Sequence, residues 1–554
     1  MGQGHAVKRR DFLAGSVLPL GFALAGCDKA LNIEGGFTGA NHQRGHLLRT
    51  SEGHGKATPW PAPSKTLRTR VLIAGGGVAG LAAARALRLR GMHDFTLLEL
   101  EDSAGGNSRG ASVNGIACPL GAHYLPVPDA LTEGPQDLLD LLEELGLRQR
   151  VAGRWVYDER HLCHSPQERL FINGQWQEGL LPVQGVDAQT LAEYQRFAQL
   201  VQDASKTARF AMPIANKPAP AAHRALDALT FEAWLNQHQL TSTPLRWYLD
   251  YCCRDDYGAG LNTVSAWAGL HYFASRHGFS SPDRAISAER EAGVLTWAQG
   301  NGWLTERLAQ PLGERLLASR VVIRVTAGRH GVEIDAFNAV SGEVERWQAD
   351  HCIVALPLFV AARIVQTPPP ALQEALARMR YAPWLVANIH INAALRDRPG
   401  AAPSWDNVIY SGDSANSDKP LQGLGYVDAM HQSLNAVPGA TVLTLYRAFG
   451  IDAAQRKNLY SQPWTYWRNT VLAELALAHP DLPAKTTRID IMRYGHAMSV
   501  PLPGIRSSAA LQGLQSPLAA HTRLHFAHSD LSGYSVFEEA FAQGHLRGHM
   551  LARG

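Results

Sequence analysis

Val71-Leu72-Ile73-Ala74-Gly75-Gly76-Gly77-Val78-Ala79-Gly80, running into Leu81-Ala82-Ala83-Ala84-Arg85-Ala86-Leu87-Arg88-Leu89-Arg90, is the stretch that decides the fold. The first four residues are apolar and partly β-branched, and they read as a buried parallel strand. The second stretch consists of strong helix formers and stops at Gly91, with arginines in the last turn to complement the dipole. Between the two, Gly75 permits a tight turn and Gly77 lets a pyrophosphate approach the backbone without a Cβ in the way. Gly80 lets the helix pack on the strand, and the N–H groups of Val78 and Ala79 open that helix toward an anion. Phe95-Thr96-Leu97-Leu98-Glu99 is a second strand ending in an acid 19 residues after Gly80, the place for a carboxylate that accepts hydrogen bonds from ribose hydroxyls. Strand, glycine turn, helix and acid together mark a dinucleotide-binding α/β unit.

This unit is one part of a 554-residue chain, long enough for two domains. Hydrophobic residues make up 45% and charged residues 18%, as in ordinary globular proteins. A formal net charge of +3 gives no electrostatic case for nucleic acid as a partner. The six cysteines form no CxxC pair, so no metal site is expected. Adjacent Cys252 and Cys253 read as two buried small residues.

The N-terminus reads as an address. Lys8-Arg9-Arg10-Asp11-Phe12-Leu13 resembles the twin-arginine export signal, and the apolar run to Ala25, roughly 14 residues, is shorter than the about 20 a membrane span needs. Leu24-Ala25-Gly26-Cys27 resembles a lipobox, which implies cleavage before Cys27, a lipid on its thiol, and a periplasmic protein anchored to a membrane. Residues 28–65, rich in Gly, His, Ser and Pro, read as a flexible tether.

Beyond Glu99, Gly105-Gly106-Asn107-Ser108-Arg109 adds a second glycine turn. An acid-ended second strand followed by such a turn resembles the flavoprotein superfamily of amine oxidases, protoporphyrinogen oxidases and phytoene desaturases. The resemblance implies FAD, with Gly105 and Gly106 at the diphosphate. Where the family places an arginine this chain has Asn107, leaving Arg109 or a backbone N–H for the phosphate contact. Other segments follow in the family's order. Gly121-Ala122-His123-Tyr124 resembles the stretch beside the isoalloxazine. Val322 lies in a strand similar to the one that faces the adenine, and Asp530 stands where the family's acid bonds the ribityl chain or a phosphate.

The resemblance further implies an interleaved architecture: a Rossmann-type FAD-binding domain from 66–125, 285–365 and 485–554, and an α+β substrate domain from 126–284 and 366–484. Helical spacing marks 130–147 and 187–207, and Thr230 is the expected N-cap of a helix starting at Phe231. His123 is the candidate acid–base group, Tyr534 the candidate wall of an aromatic cage, and Tyr124 and Tyr272 candidate substrate contacts. The strand similar to the one carrying the amine oxidases' lysine has Ala387 and Asn388 instead, which makes a quinone as credible an electron acceptor as oxygen. The leading expectation is therefore oxidation of a small amine of polyamine type. A desaturase of a lipophilic substrate and a non-catalytic flavoprotein scaffold are the alternatives. Aromatic walls with a carboxylate at the mouth of the cavity favour the amine.

Overall fold

The strand read at 71–74 is the end of a longer one, Lys65–Ala74, inside a mostly parallel seven-stranded sheet. Phe95–Leu98 pairs along one side of it in parallel, with Leu316–Leu317 beyond. Val344–Val354 pairs along the other side. The far edge of Val344–Val354 is divided between two partners. Its first half takes antiparallel Val332–Asn338, itself paired with Arg320–Ala327, and its last three residues take Leu524–Phe526 in parallel. Segments hundreds of residues apart thus close one sheet.

The helix after the glycine turn, Val78–Leu89, is covered by Phe537–Leu551 at the C-terminal end. A Cβ on Gly544 would lie 1.9 Å from the Ala79 carbonyl oxygen, and one on Gly548 2.3 Å from that of Ala83. Those two glycines are what let the helices touch, and the contact fixes the helix start at which the glycine turn ends.

The computed structural model describes residues 32–49, 60–128, 136–214, 219–276, 278–282, 293–412, 423–433, 437–516 and 523–553. The leader and Cys27 lie outside the described residues. Ile33–Gly554 is one compact unit. Among the described residues no helix is long and apolar enough to cross a membrane.

A second, mixed sheet has eight strands, in the order Glu34–Phe37, Thr486–Ser499, Tyr381–Ile391, Thr441–Ala448, Gly423–Asp428, Asp406–Ile409, Glu168–Ile172 and Gln175–Glu178. Helices Ala188–Thr207, Phe231–Gln237, Thr243–Tyr257 and Ala266–Ala274 share an apolar core with it. The spacing at 187–207 is realised as Ala188–Thr207 and that at 130–147 as Gln136–Glu144. Thr230 caps its helix, its Oγ1 accepting the Ala233 N–H at 3.2 Å. Cys252 and Cys253 are buried free thiols.

Two expectations need correction. The stretch 28–65 is not a tether throughout. Glu34–Phe37 pairs in parallel with Arg488–Ile491 and a short helix follows at His42–His46, because the sheet edge supplies the backbone partners that the segment lacks by itself. In addition, 485–499 does not return to the dinucleotide sheet. Thr486–Ser499 is antiparallel to Tyr381–Ile391 in the large sheet, and the chain re-enters the first sheet only at Leu524. A strand's own residues do not say which sheet will take it.

Candidate active site

The cradle is assembled from the two glycine turns. Gly77, the N-cap of Val78–Leu89, has no side chain with which to satisfy the first N–H groups of the helix. Gly106, with φ of +56°, approaches it so closely that a Cβ there would lie 3.1 Å from the Gly77 Cα. The Gly105 N–H donates to the Gly76 oxygen at 2.8 Å, locking one turn to the other. Gly75 (φ +105°) and Gly80 are packed still tighter: a Cβ on Gly80 would meet the Gly75 oxygen at 1.9 Å. Gly77 differs, because a Cβ there meets only the Gly106 Cα at 3.9 Å and otherwise points into open space. Glu99 sits beside the cradle. Its carboxylate accepts the Gly76 N–H at 2.7 Å and the Glu101 N–H at 2.8 Å, and burial raises its pKa against those bonds.

The flanking residues fall into place around this cradle with two exceptions. Ala122 donates its N–H to the Asn107 oxygen at 2.8 Å, so the Gly121–Ala122 turn runs along the second glycine turn. Val322 packs with Leu98 and Ala74 at the end of the acid-bearing strand. Arg109, however, is already engaged. It donates to the Gly106 oxygen at 3.2 Å and the Gly39 oxygen at 2.8 Å and stands 3.5 Å from Glu101, so its guanidinium is committed to protein partners. Asp530 is 0% exposed, its Oδ2 accepting the Leu358 N–H and the Tyr381 hydroxyl. Through Oδ2 it braces the Pro357–Leu358 turn, while its buried Oδ1, 3.2 Å from His528 Nδ1, makes no hydrogen bond among the described residues.

A second feature lies beyond Ala122. His123 stacks on Tyr446 with ring centroids 4.3 Å apart, and Tyr124 and Trp405 stand edge-on or tilted to it. The Tyr446 hydroxyl donates to the Gly121 oxygen at 2.9 Å, tying this aromatic wall to the turn beside the cradle. Three carboxylates join the wall. Glu168 and Asp406 are register partners on adjacent parallel strands, where like charges repel. Asp255 comes from the helix Thr243–Tyr257, on the same face as Tyr248, Tyr251 and Cys252. The Tyr251 hydroxyl lies 3.4 Å from Asp406 Oδ2. Burial, ahead of the neighbouring Asp256, pushes Asp255 up to about 7; burial also brings Glu168 to about 7 and holds Asp406 well above the usual range. None of the three is sealed, since each keeps intermediate exposure. The three interact electrostatically, so they stand close together as a partly accessible acidic cluster. Tyr124 and Tyr272 interact with Asp255 and with each other, which places them beside the cluster.

Two candidates change role. Burial drives His123 down to about 3, so it is a neutral ring across the working pH range and a poor proton acceptor. It is a wall. Tyr534 is 0% exposed, its hydroxyl donating to Glu539 at 2.5 Å and its ring enclosed by Tyr257, Trp267 and His271. It cannot line a substrate cavity.

The model of the flavin containing amine oxidoreductase family matches residues 78–546. The chain belongs to the flavin containing amine oxidoreductase family. Among curated relatives, AofH of Mycobacterium tuberculosis is 25% identical over 354 residues, 63% of this chain and 69% of that protein. Amine oxidase B of Cavia porcellus is 25% identical over 308 residues, 54% of this chain and 52% of that protein. A solved putrescine oxidase bound to putrescine superposes with a TM-score of 0.64 over 88% of this chain and all of that one. At 18% identity, that last likeness shows the fold alone.

The protein is thus an FAD-dependent oxidoreductase with a Rossmann-type FAD-binding fold, as its family requires. The residues fit the cofactor. An uncapped helix start, a Gly77 whose Cβ position is open and a carboxylate at the end of the second strand are what a diphosphate and a ribose need. Sequence reasoning missed Glu168, Asp255, Asp406, Trp405 and Tyr446. The one signal was Asp255-Asp256 on a helix whose Leu249, Tyr251, Cys252, Cys253 and Tyr257 are all buried, an odd place for two acids.

Proposed function

We propose that this oxidoreductase acts on small cationic amines carrying more than one ammonium group. The carrying observation is the set of three carboxylates, Glu168, Asp255 and Asp406, which interact with one another and with Tyr124, Tyr251 and Tyr446 next to the ring of His123. A carboxylate taken out of water is costly unless a positive charge joins it, and aromatic faces attract cations and pack methylenes. In this reading the carboxylates hold the ammonium groups while the His123–Tyr446 stack orients the apolar stem. Groups titrating near neutral pH also suit the proton that must leave an ammonium before its carbon is oxidised. FAD, when bound, accepts the hydride at its ring N5 and passes the electrons on.

The backbone N–H groups of Val78 and Ala79, the Gly77–Gly106 cradle and the Glu99 carboxylate would hold the adenosine and diphosphate end. The electrons would go to oxygen or to a quinone. Asn388 is buried, bonded to the Pro119 oxygen and to Thr444, and its strand Tyr381–Ile391 has no lysine, which supports the quinone.

The test is anaerobic mixing of flavin-loaded protein with a panel of mono-, di- and polyamines while flavin absorbance is followed. Bleaching should be fastest with diamines or longer amines. Bleaching by none of them, at full flavin content, would remove the amine reading. The carboxylates speak against the lipophilic-substrate alternative, since an apolar tunnel has no use for three partly accessible acids.

We also propose export by the twin-arginine route and lipid anchoring at Cys27, supported by Arg9-Arg10-Asp11-Phe12-Leu13 and Leu24-Ala25-Gly26-Cys27. Labelled fatty acid should enter the full chain and be lost in Cys27→Ala. Equal labelling of both would sink the anchor.

A further inference from the structure

The segment Ile33–Arg49 precedes the residues that match the family, 78–546, and the proposed function leaves it unused. It binds where the cradle's acid is held. Glu34–Phe37 adds a parallel strand to the substrate sheet, and Arg493 lies 3.5 Å over the Phe37 ring. The chain then crosses to the other domain. The Gly39 oxygen accepts from Arg109, and the Asn41 N–H donates to Glu101 Oε1 at 2.8 Å. Arg44 donates to the Leu100 oxygen at 3.1 Å and to Asp102 Oδ1 at 2.7 Å, and Ser319 donates to the same Asp102 oxygen at 2.6 Å.

These contacts form a relay. Asn41 and Arg44 fix the loop Leu100–Asp102. That loop gives the Glu101 N–H to Glu99 Oε1, and Glu99 Oε2 takes the Gly76 N–H. The orientation of the acid beside the cradle therefore depends on a segment that no local sequence signal ties to it. The same segment gives Arg109, which also donates to the Gly106 oxygen, a second anchor on the Gly39 oxygen beside Glu101.

We infer that Ile33–Arg49 is a clasp that retains FAD, with Asn41 and Arg44 as positioning residues acting through Glu101 and Asp102 on Glu99. The inference rests on the cradle assigned above. Loss of Arg44 removes a part-buried charge-assisted bond to the Leu100 oxygen, worth several-fold to about tenfold in an equilibrium, and an exposed ion pair with Asp102 that adds little. Replacing Asn41 by proline removes the N–H that Glu101 accepts, at a φ of −85° that proline tolerates.

The experiment is FAD release from full-length flavin-loaded protein, followed by flavin fluorescence at a temperature where tryptophan emission and far-UV circular dichroism are unchanged. Arg44→Ala and Asn41→Pro should each release FAD about tenfold faster than the unmodified chain. Release at the unmodified rate in both variants, or release only when the tryptophan signal reports unfolding, would overturn the clasp. A colourless unmodified protein would instead overturn the cradle, so the two failures are distinct.

Discussion

A Gly77→Val chain is expected to fold, to melt within a few degrees of the unmodified apoprotein, and to carry no flavin. The two halves of that result have separate causes. Gly77 has φ of −71° and ψ of −177°, extended backbone that any residue adopts, and a Cβ there comes no closer than 3.9 Å to protein. The fold therefore has room for the side chain. The space it fills is the approach to the first N–H groups of Val78–Leu89, where a diphosphate must come within hydrogen-bond distance of backbone. Losing that grip should lower FAD affinity by a factor of 10³ or more, on the order of 4 kcal/mol. Gly80→Val is the contrasting case. Its Cβ would overlap the Gly75 oxygen at 1.9 Å, so it should lower stability itself, with or without cofactor. Flavin absorbance per chain after reconstitution, read beside a thermal melt, separates the two. A Gly77→Val protein that stays yellow at full occupancy would show that the diphosphate lies elsewhere.

How much of this was legible beforehand follows from distance along the chain. The dinucleotide unit is spelled within 71–99, so strand, turn, helix and acid could each be read from neighbours, as could the Thr230 cap. The carboxylate cluster draws on residues 168, 255 and 406, from three separate elements, and becomes visible only when Asp406 pairs beside Glu168. Ile33–Arg49 looked like a linker because its Gly- and His-rich sequence has no hydrophobic period; its order comes from partners at 101, 102, 109 and 488–491. Arg109, Asp530 and Tyr534 show a further limit. A family position tells where a side chain starts, but only packing tells which neighbour takes it, and here these became Gly39, Leu358 and Glu539.

Neutralising the acid cluster should change substrate binding while leaving the flavin in place. Asp255→Asn or Asp406→Asn is expected to lower kcat/KM for a diamine by about 10- to 100-fold, mostly through KM, as fits the loss of one charged partner at about 1.5–3 kcal/mol. The pH dependence follows from the same groups. In ligand-free protein Asp255 and Glu168 have pKa values near 7, above those of the unfolded chain. A raised carboxyl pKa means the contribution to stability is full below the unfolded value, about 4, and is lost as pH rises through about 7. Above that pH the site holds negative charge that Arg276 and Arg254 only partly offset, and a dication relieves it. A quaternary bis-ammonium compound, which has no proton to lose, should therefore raise the melting temperature more at about pH 8 than at about pH 5.5, and its affinity should weaken as pH falls through about 7. His123→Phe should leave that midpoint where it is, since the ring is neutral throughout and phenylalanine keeps the stack on Tyr446. Asp255→Asn should shift or flatten it. Dication binding that is indifferent to pH, or a midpoint that moves with His123 and not with Asp255, would mean that these carboxylates do not meet the substrate's charge.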